Sequence, residues 1–189
     1  MKAVLDACVL YPPVLRDLLV GVATQGHYDP LWSDRILREW TRATAKLGPV
    51  LMAKAETQAA LLRASFPRAM IREQPGLEAR LTLPDPDDVH VLAIAIAGHA
   101  DCIVTFNAVD FPRHLLAEEG LDRRDPDGFL WELWSHHPDE VGAVVADVHA
   151  RAEAMADAPV SLKALLKRAK LGRLARAVLG TSSDGPDHG

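Results

Sequence analysis

The stretch LPDPDDVHVLAIAIAGHADCIVTFNAVDFP, residues 83–112, constrains the fold most tightly. An acidic helix start, an apolar helix, an apolar strand and an acidic turn follow one another with no linker between them. Asp85 before Pro86 predicts an N-cap with proline at the first helical position, which puts Asp87 and Asp88 in the first turn. From Val89 to Ala97 nearly every residue is apolar, so the helix is expected to be buried on most sides rather than on one face. Gly98 ends it, and Cys102-Ile103-Val104 fits a strand buried on both faces of a parallel sheet. Thr105, Asn107 and Asp110 then fall at that strand's carboxyl end, where open α/β sheets bind their ligands.

The flanking chain repeats the alternation. Lys2 to Leu5 reads as a central strand ending at Asp6, and apolar residues at 14, 15, 18, 19, 22 and 23 predict a helix stopped by Gly26. Ser33 and Asp34 offer a cap for a helix to about Leu47, carrying Glu39 beside Trp40, and Pro49 opens another to Ser65. A short strand is expected at Ala69 to Arg72 and an edge strand at Leu121 to Arg124. Helices are expected at Pro112 to Glu119, from Pro126, and over Pro138 to Ala156, with a last helix from Ser161 to about Leu179. Strands separated by helices argue for an α/β fold with a central parallel sheet.

Composition limits the classes open to such a chain. With 189 residues, 49% of them hydrophobic, there is material for one sizeable core plus a small appendage. No run approaches the roughly 18 apolar residues that a membrane span needs, and the first residues enter a strand without a cleavable signal, so a cytoplasmic, non-membrane protein is expected. Cys8 and Cys102 lack CxxC spacing and read as small core residues; the eight histidines show no HxxH or HExxH spacing and read as scattered. The net charge of −5 is uneven, since residues 160–189 hold six Lys and Arg against two Asp.

Asp6, Asp88 and Asp110 lie at strand ends or a helix start, and Glu39 joins them if its helix packs over the same sheet edge. Close carboxylates raise one another's pKa unless a cation offsets the repulsion, and an all-oxygen set suits Mg²⁺ or Mn²⁺. A cation so held suits hydrolysis of a phosphodiester. Plainer roles are open to Asp88 as a helix-dipole partner, to Glu39 as a solvated helix residue and to Asp110 as a turn former, while Thr105 can simply end the strand and Asn107 supply a turn or cap. Asp85 and Asp87 are read as cap and dipole partners.

Taken in order, VLDACVLYP, SDRILREW, DPDDVHVLAIA and IVTFNAVDF resemble a PIN domain, the nuclease fold of VapC-type toxins, over residues 1 to about 130. The resemblance implies a three-layer α/β/α fold with a C-terminal helical extension, a nuclease domain over 1–135 and helices over 136–180; the tail over 181–189 is expected to be disordered as a chain terminus. It implies a metal-dependent endoribonuclease, the toxin of a type II toxin–antitoxin system, with Asp6, Glu39, Asp88 and Asp110 as Mg²⁺ or Mn²⁺ ligands. Thr105, Asn107 and Asp110 match a T-x-[DN]-x-x-D turn. The partners implied are RNA, a cognate antitoxin and a second copy of the chain. Two departures stand out: Ala7 follows the first acid where a small hydroxyl residue is frequent, and Asn107 occupies a position that is frequently Asp.

The last helix carries Lys163, Lys167, Arg168, Lys170, Arg173 and Arg176 between leucines. A solvated face is the plainer reading, RNA phosphate contact the sharper one, and contact with an antitoxin or a membrane surface a third. Two other classes compete with the nuclease: a noncatalytic PIN scaffold binding RNA or protein, and a small-molecule phosphatase. The second ranks last because VLDAC lacks the second Asp of a D-x-D motif.

Overall fold

The computed structural model describes residues 1–181. Its strands are β1 (Lys2–Leu5), β2 (Asp29–Leu31), β3 (Cys102–Val104) and β4 (Asp122–Arg124), all parallel in the order β2-β1-β3-β4. The α/β class with a central parallel sheet is thus the one observed. Ala3, Val4 and Leu5 of β1 and Ile103 and Val104 of β3 are fully buried, as expected of inner strands covered on both faces. Each Val, Leu or Ile so buried contributes about 1.5–3 kcal/mol.

The described chain gathers into two compact units, each drawn from separate stretches of sequence: residues 1–11 with 28–124, and residues 12–27 with 125–181. The first contains the sheet. Around it lie α1 (Ala7–Leu10), α3 (Asp34–Thr44), α4 (Pro49–Ser65), α5 (Pro75–Glu78), α6 (Val89–Ala97) and α7 (Arg113–Glu118); α2 (Pro13–Thr24) falls in the other unit. Helix α6 packs on β1 and β3, and its residues Val89 to Ala95 are all buried, which accounts for its lack of a polar face. It starts three residues later than expected, because Pro86–Asp88 form a 3-10 turn capped by Asp85, and Asp88 becomes the residue before α6.

One sequence expectation in this unit needs correction, and one strand lies outside the expected set. The strand expected at Ala69 to Arg72 is a single parallel bridge, Trp32 to Met70, closed by Trp32 N–H on Ala69 O and Ile71 N–H on Trp32 O. Strand β2, in contrast, was not anticipated: it is three residues long and contains Pro30, which suits an edge position where one side of the ladder is open. The other edge, β4, is Asp-Arg-Arg, a charged sequence that resists pairing with another chain.

The second unit holds α2, α8 (Pro126–His136), α9 (Pro138–Ala154), α10 (Leu162–Arg168) and α11 (Gly172–Thr181). Helix α2 packs against α9 closely enough that a Cβ on Gly21 would come within 2.6 Å of Val144 Cγ1. The single basic helix expected from Ser161 to Leu179 is two helices. Lys170 has φ +61°, and Leu171 N–H returns to Leu166 O at 2.9 Å, a left-handed helix stop that swings fully buried Leu171 inward. The basic residues therefore do not share one face: Lys163, Lys167 and Arg168 are on α10, Lys170 is at the break, and Arg173 and Arg176 are on α11. Of the tail expected to be disordered, Thr181 ends α11 and 182–189 lie outside the described residues. Among the described residues, no helix is long and apolar enough to cross a membrane.

Candidate functional site

The site is built where β1 and β3 run side by side. From β1 the chain proceeds to β2 on one side, whereas β3 and β4 lie on the other, so the strand order reverses between β1 and β3. The carboxyl ends of such a pair leave a crevice between diverging connections. Asp6 is the first residue after β1 and Thr105 the first after β3, and both are buried.

The hydroxyl of Thr105 donates to Asp6 Oδ2 at 2.7 Å, and Cys8 Sγ–H donates to the same oxygen at 3.0 Å. Thr105 Oγ1 in turn accepts from Asn107 N–H at 2.9 Å, so one hydroxyl fixes both the acid and the start of the loop. Burial first, then the Asp6 charge and hydrogen bond, push the Cys8 thiol up to about 12, so it stays protonated and serves as a donor rather than a nucleophile.

Asn107 is the hinge of the loop. Its Nδ2 donates to Asp88 Oδ2 at 3.0 Å, while its Oδ1 accepts from Asp110 N–H at 3.3 Å. The loop is closed from outside by Arg123 of β4, whose Nη1 donates to Ala108 O at 2.6 Å and Phe111 O at 3.0 Å, and fully buried Phe111 anchors its end. Asp85, Asp88 and Asp110 each bring a carboxylate oxygen within 4.8 Å of the other two. Burial, then the charges of Asp6, Asp85 and Asp110, push the Asp88 carboxyl up to about 6. Its own helix takes no side-chain cap bond from it, which leaves the carboxylate turned to the cluster. Asp85 does act as the cap expected of it, accepting from Asp87 N–H at 2.9 Å, yet it also belongs to this acidic group.

Glu39 reaches the same region from α3. Its Oε1 lies 3.1 Å from Arg35 Nε and 3.1 Å from Nε2 of His90, a residue of α6 that is only 1% exposed. Burial pushes the Glu39 carboxyl up, but hydrogen bonding and charge from His90, followed by those of Arg35, outweigh it and hold the group below its ordinary value. Glu39 and Asp88 line one depression of about 650 Å³ with Arg35, Arg38, Arg42 and Asp87. Sequence reading passed over His90 and this arginine rim, although 35, 38, 39 and 42 share one face of a helix by simple periodicity. Among the RNA-contact candidates, Arg173 has its guanidinium 5.2 Å from the Trp131 ring, while its backbone N–H donates to Asp127 Oδ2 at 2.8 Å.

The donor set suits a hard divalent cation. It is carboxylate-rich, burial and then the neighbouring carboxylate charges raise the pKa of Asp88, and the all-oxygen chemistry is that of Mg²⁺ and Mn²⁺ sites. Acids gathered at the switch point of a parallel sheet, with a half-buried protonated thiol beside them, fit a site that would hold a divalent cation for hydrolysis. A family model described as PIN domain matches residues 2–108, more than half of the chain, and the chain belongs to that family. PIN domains are in general metal-dependent nucleases. No curated protein and no solved structure gives a match.

Proposed function

We propose that this protein is a metal-dependent endoribonuclease and the toxin of a type II toxin–antitoxin pair. The observation that carries the reading is the convergence of Asp88 with Asp85 and Asp110, beside Asp6, at the carboxyl edge of β1 and β3 in a PIN domain. In this reading the convergent Asp85, Asp88 and Asp110, together with Asp6, hold the cation, and Glu39 completes the acidic set from the rim of the depression it shares with Asp88. Bound Mg²⁺ or Mn²⁺ supplies Lewis-acid polarisation of the phosphodiester and a lowered pKa for attacking water. Thr105 fixes the orientation of Asp6, and Asn107 fixes Asp88 against the loop. His90 and Arg35 keep Glu39 ionised.

Arg35, Arg38 and Arg42 line the depression that holds Glu39 and Asp88, which makes them candidate contacts for RNA phosphates, Arg35 and Arg38 by exchanging their ion pairs with Glu39 and Glu73. Lys163, Lys167 and Arg168 on α10, with Lys170 and Arg173, form a second set for the same role. A cognate antitoxin that lays a peptide over the acidic depression, and association into a homodimer, complete the proposal.

The deciding experiment is cleavage of mixed tRNA and rRNA by antitoxin-free protein with Mg²⁺ or Mn²⁺, beside Asp6→Asn and an EDTA control. Cleavage lost in both controls supports the reading, and cleavage that survives Asp6→Asn removes the site. Metal binding without cleavage of any RNA offered favours a noncatalytic scaffold.

A further inference from the structure

A second cluster of metal-ligating side chains lies in the helical unit, built from residues far apart in sequence. His27 follows α2, whose end is a left-handed stop: Gly26 has φ +84°, Gly26 N–H bonds to Ala23 O, and His27 N–H bonds to Val22 O. His137 is the joint between α8 and α9, with its N–H on Leu133 O and its carbonyl accepting from Val141 N–H. Glu140 sits in the first turn of α9. All three side chains are thus carried on hydrogen-bonded helix ends.

Their donor atoms converge. His137 Nδ1 lies 3.3 Å and His27 Nε2 3.9 Å from the same carboxylate oxygen, Glu140 Oε2, and the two imidazole rings are 4.2 Å apart at 32°. One ligand atom from each of the three residues lies within 4.8 Å of the other two. A tetrahedral ion with bonds of about 2.0–2.1 Å sets its donors about 3.3–3.4 Å apart, so small side-chain rotations close this set around one ion.

The independent sign of a missing ligand is His27. Its side chain is only 9% exposed, and its Nε2 is buried with no hydrogen-bond partner; Glu140 Oε2, at 3.9 Å, is too far to bond. A buried polar atom is rarely left unsatisfied, and this one points at the imidazole and carboxylate of two more exposed residues. Stacking with His137 alone satisfies neither ring nitrogen.

We propose that His27, His137 and Glu140 form a site for a borderline divalent cation, Zn²⁺, that clasps the end of α2 to the α8–α9 corner. Two imidazole nitrogens and one carboxylate select such an ion over Mg²⁺ or Ca²⁺, in contrast to the all-oxygen cluster around Asp88. His137 and Glu140 are 45% and 56% exposed, so the fourth position is open to water.

The test uses the full, tag-free chain, stripped with EDTA and titrated with Zn²⁺ by calorimetry and by thermal melting. Wild type, His137→Ala, Glu140→Gln and Asp88→Asn are compared; the first two substitutions fall on exposed side chains, so folding is retained where a change at His27 risks it. The expected result is one equivalent bound with a rise in Tm, affinity reduced at least about tenfold by His137→Ala and by Glu140→Gln, and affinity kept in Asp88→Asn. Co²⁺ in place of Zn²⁺ gives the visible absorption of a tetrahedral site in wild type and loses it in His137→Ala. Absence of binding, binding indifferent to both His137→Ala and Glu140→Gln, or binding lost in Asp88→Asn overturns the proposal.

Discussion

Thr105 Oγ1 donates a 2.7 Å hydrogen bond to Asp6 Oδ2, joining the carboxyl ends of two adjacent parallel strands across a sequence separation of 99. Because both side chains are buried, the bond determines where the first acid of the site points. Thr105→Val keeps the shape and removes the hydroxyl. Stability falls by about 1–3 kcal/mol, since a buried acceptor and Asn107 N–H both lose a partner. Divalent-metal affinity falls by about 10–100-fold, as for other groups that orient a ligand. Denaturant melts and Mn²⁺ titration read the two effects separately.

Asp88→Asn abolishes cleavage yet stabilises the metal-free protein. The Asp88 pKa of about 6 lies above its ordinary 3.8, so between these values the folded chain holds the proton more tightly than the unfolded chain. The stability this confers is full below 3.8 and is lost as pH rises through 6. Above pH 6 the variant therefore exceeds wild type by about 1 kcal/mol, allowing for solvent screening of a half-buried group, and the difference shrinks in acid. Melts in EDTA at several pH values measure it. A variant less stable than wild type at pH 7.5 contradicts the account.

Arg123→Ala opens the loop from 105 to 111 without touching an acid. Two carbonyls, Ala108 O and Phe111 O, lose their charged donor, at about 1–3 kcal/mol together because the guanidinium is partly exposed. Amide exchange at Asn107 and Asp110 speeds up while that of β1 stays slow, and RNA cleavage falls with the loss of loop order. Uniform exchange across the sheet and the loop means that the arginine does not act locally.

Lys170→Gly raises stability by about 0.5–1 kcal/mol. Its φ of +61° strains a residue with a side chain and suits glycine, which outweighs the added freedom of the unfolded chain. A continuous helix through 161–179 predicts the opposite sign, because glycine in a helix interior destabilises it. Chemical denaturation decides between them.

Much of the sheet could be read in the sequence because its inner strands are short apolar runs next to unmistakable helix signals. Ala3-Val4-Leu5, Cys102-Ile103-Val104 and the Val89 helix each announce burial on all sides. Strand β2 lacks that signature, since Asp29-Pro30-Leu31 is held by pairing with β1 rather than by its own preference. Nor does Lys170 look like a helix stop: the chain turns there because Leu171 is drawn into the core, a tertiary demand. The acids themselves could be placed by their strand ends, whereas their partners could not. His90 meets Glu39 and Asn107 donates to Asp88 through side-chain directions that periodicity does not specify. His27 and His137 are separated by too much chain for any spacing motif to join them.

Helix α2 is encoded near the N-terminus yet packs against α9, with Gly21 admitting Val144. The helical unit is therefore not a detachable module. A truncation after residue 135 strips α2 of the partner that covers it, and a transplant of 136–181 alone leaves half of an interface behind. Any minimal nuclease cut from this chain must be redesigned on the α2 surface, or it will carry an uncovered apolar face into solution.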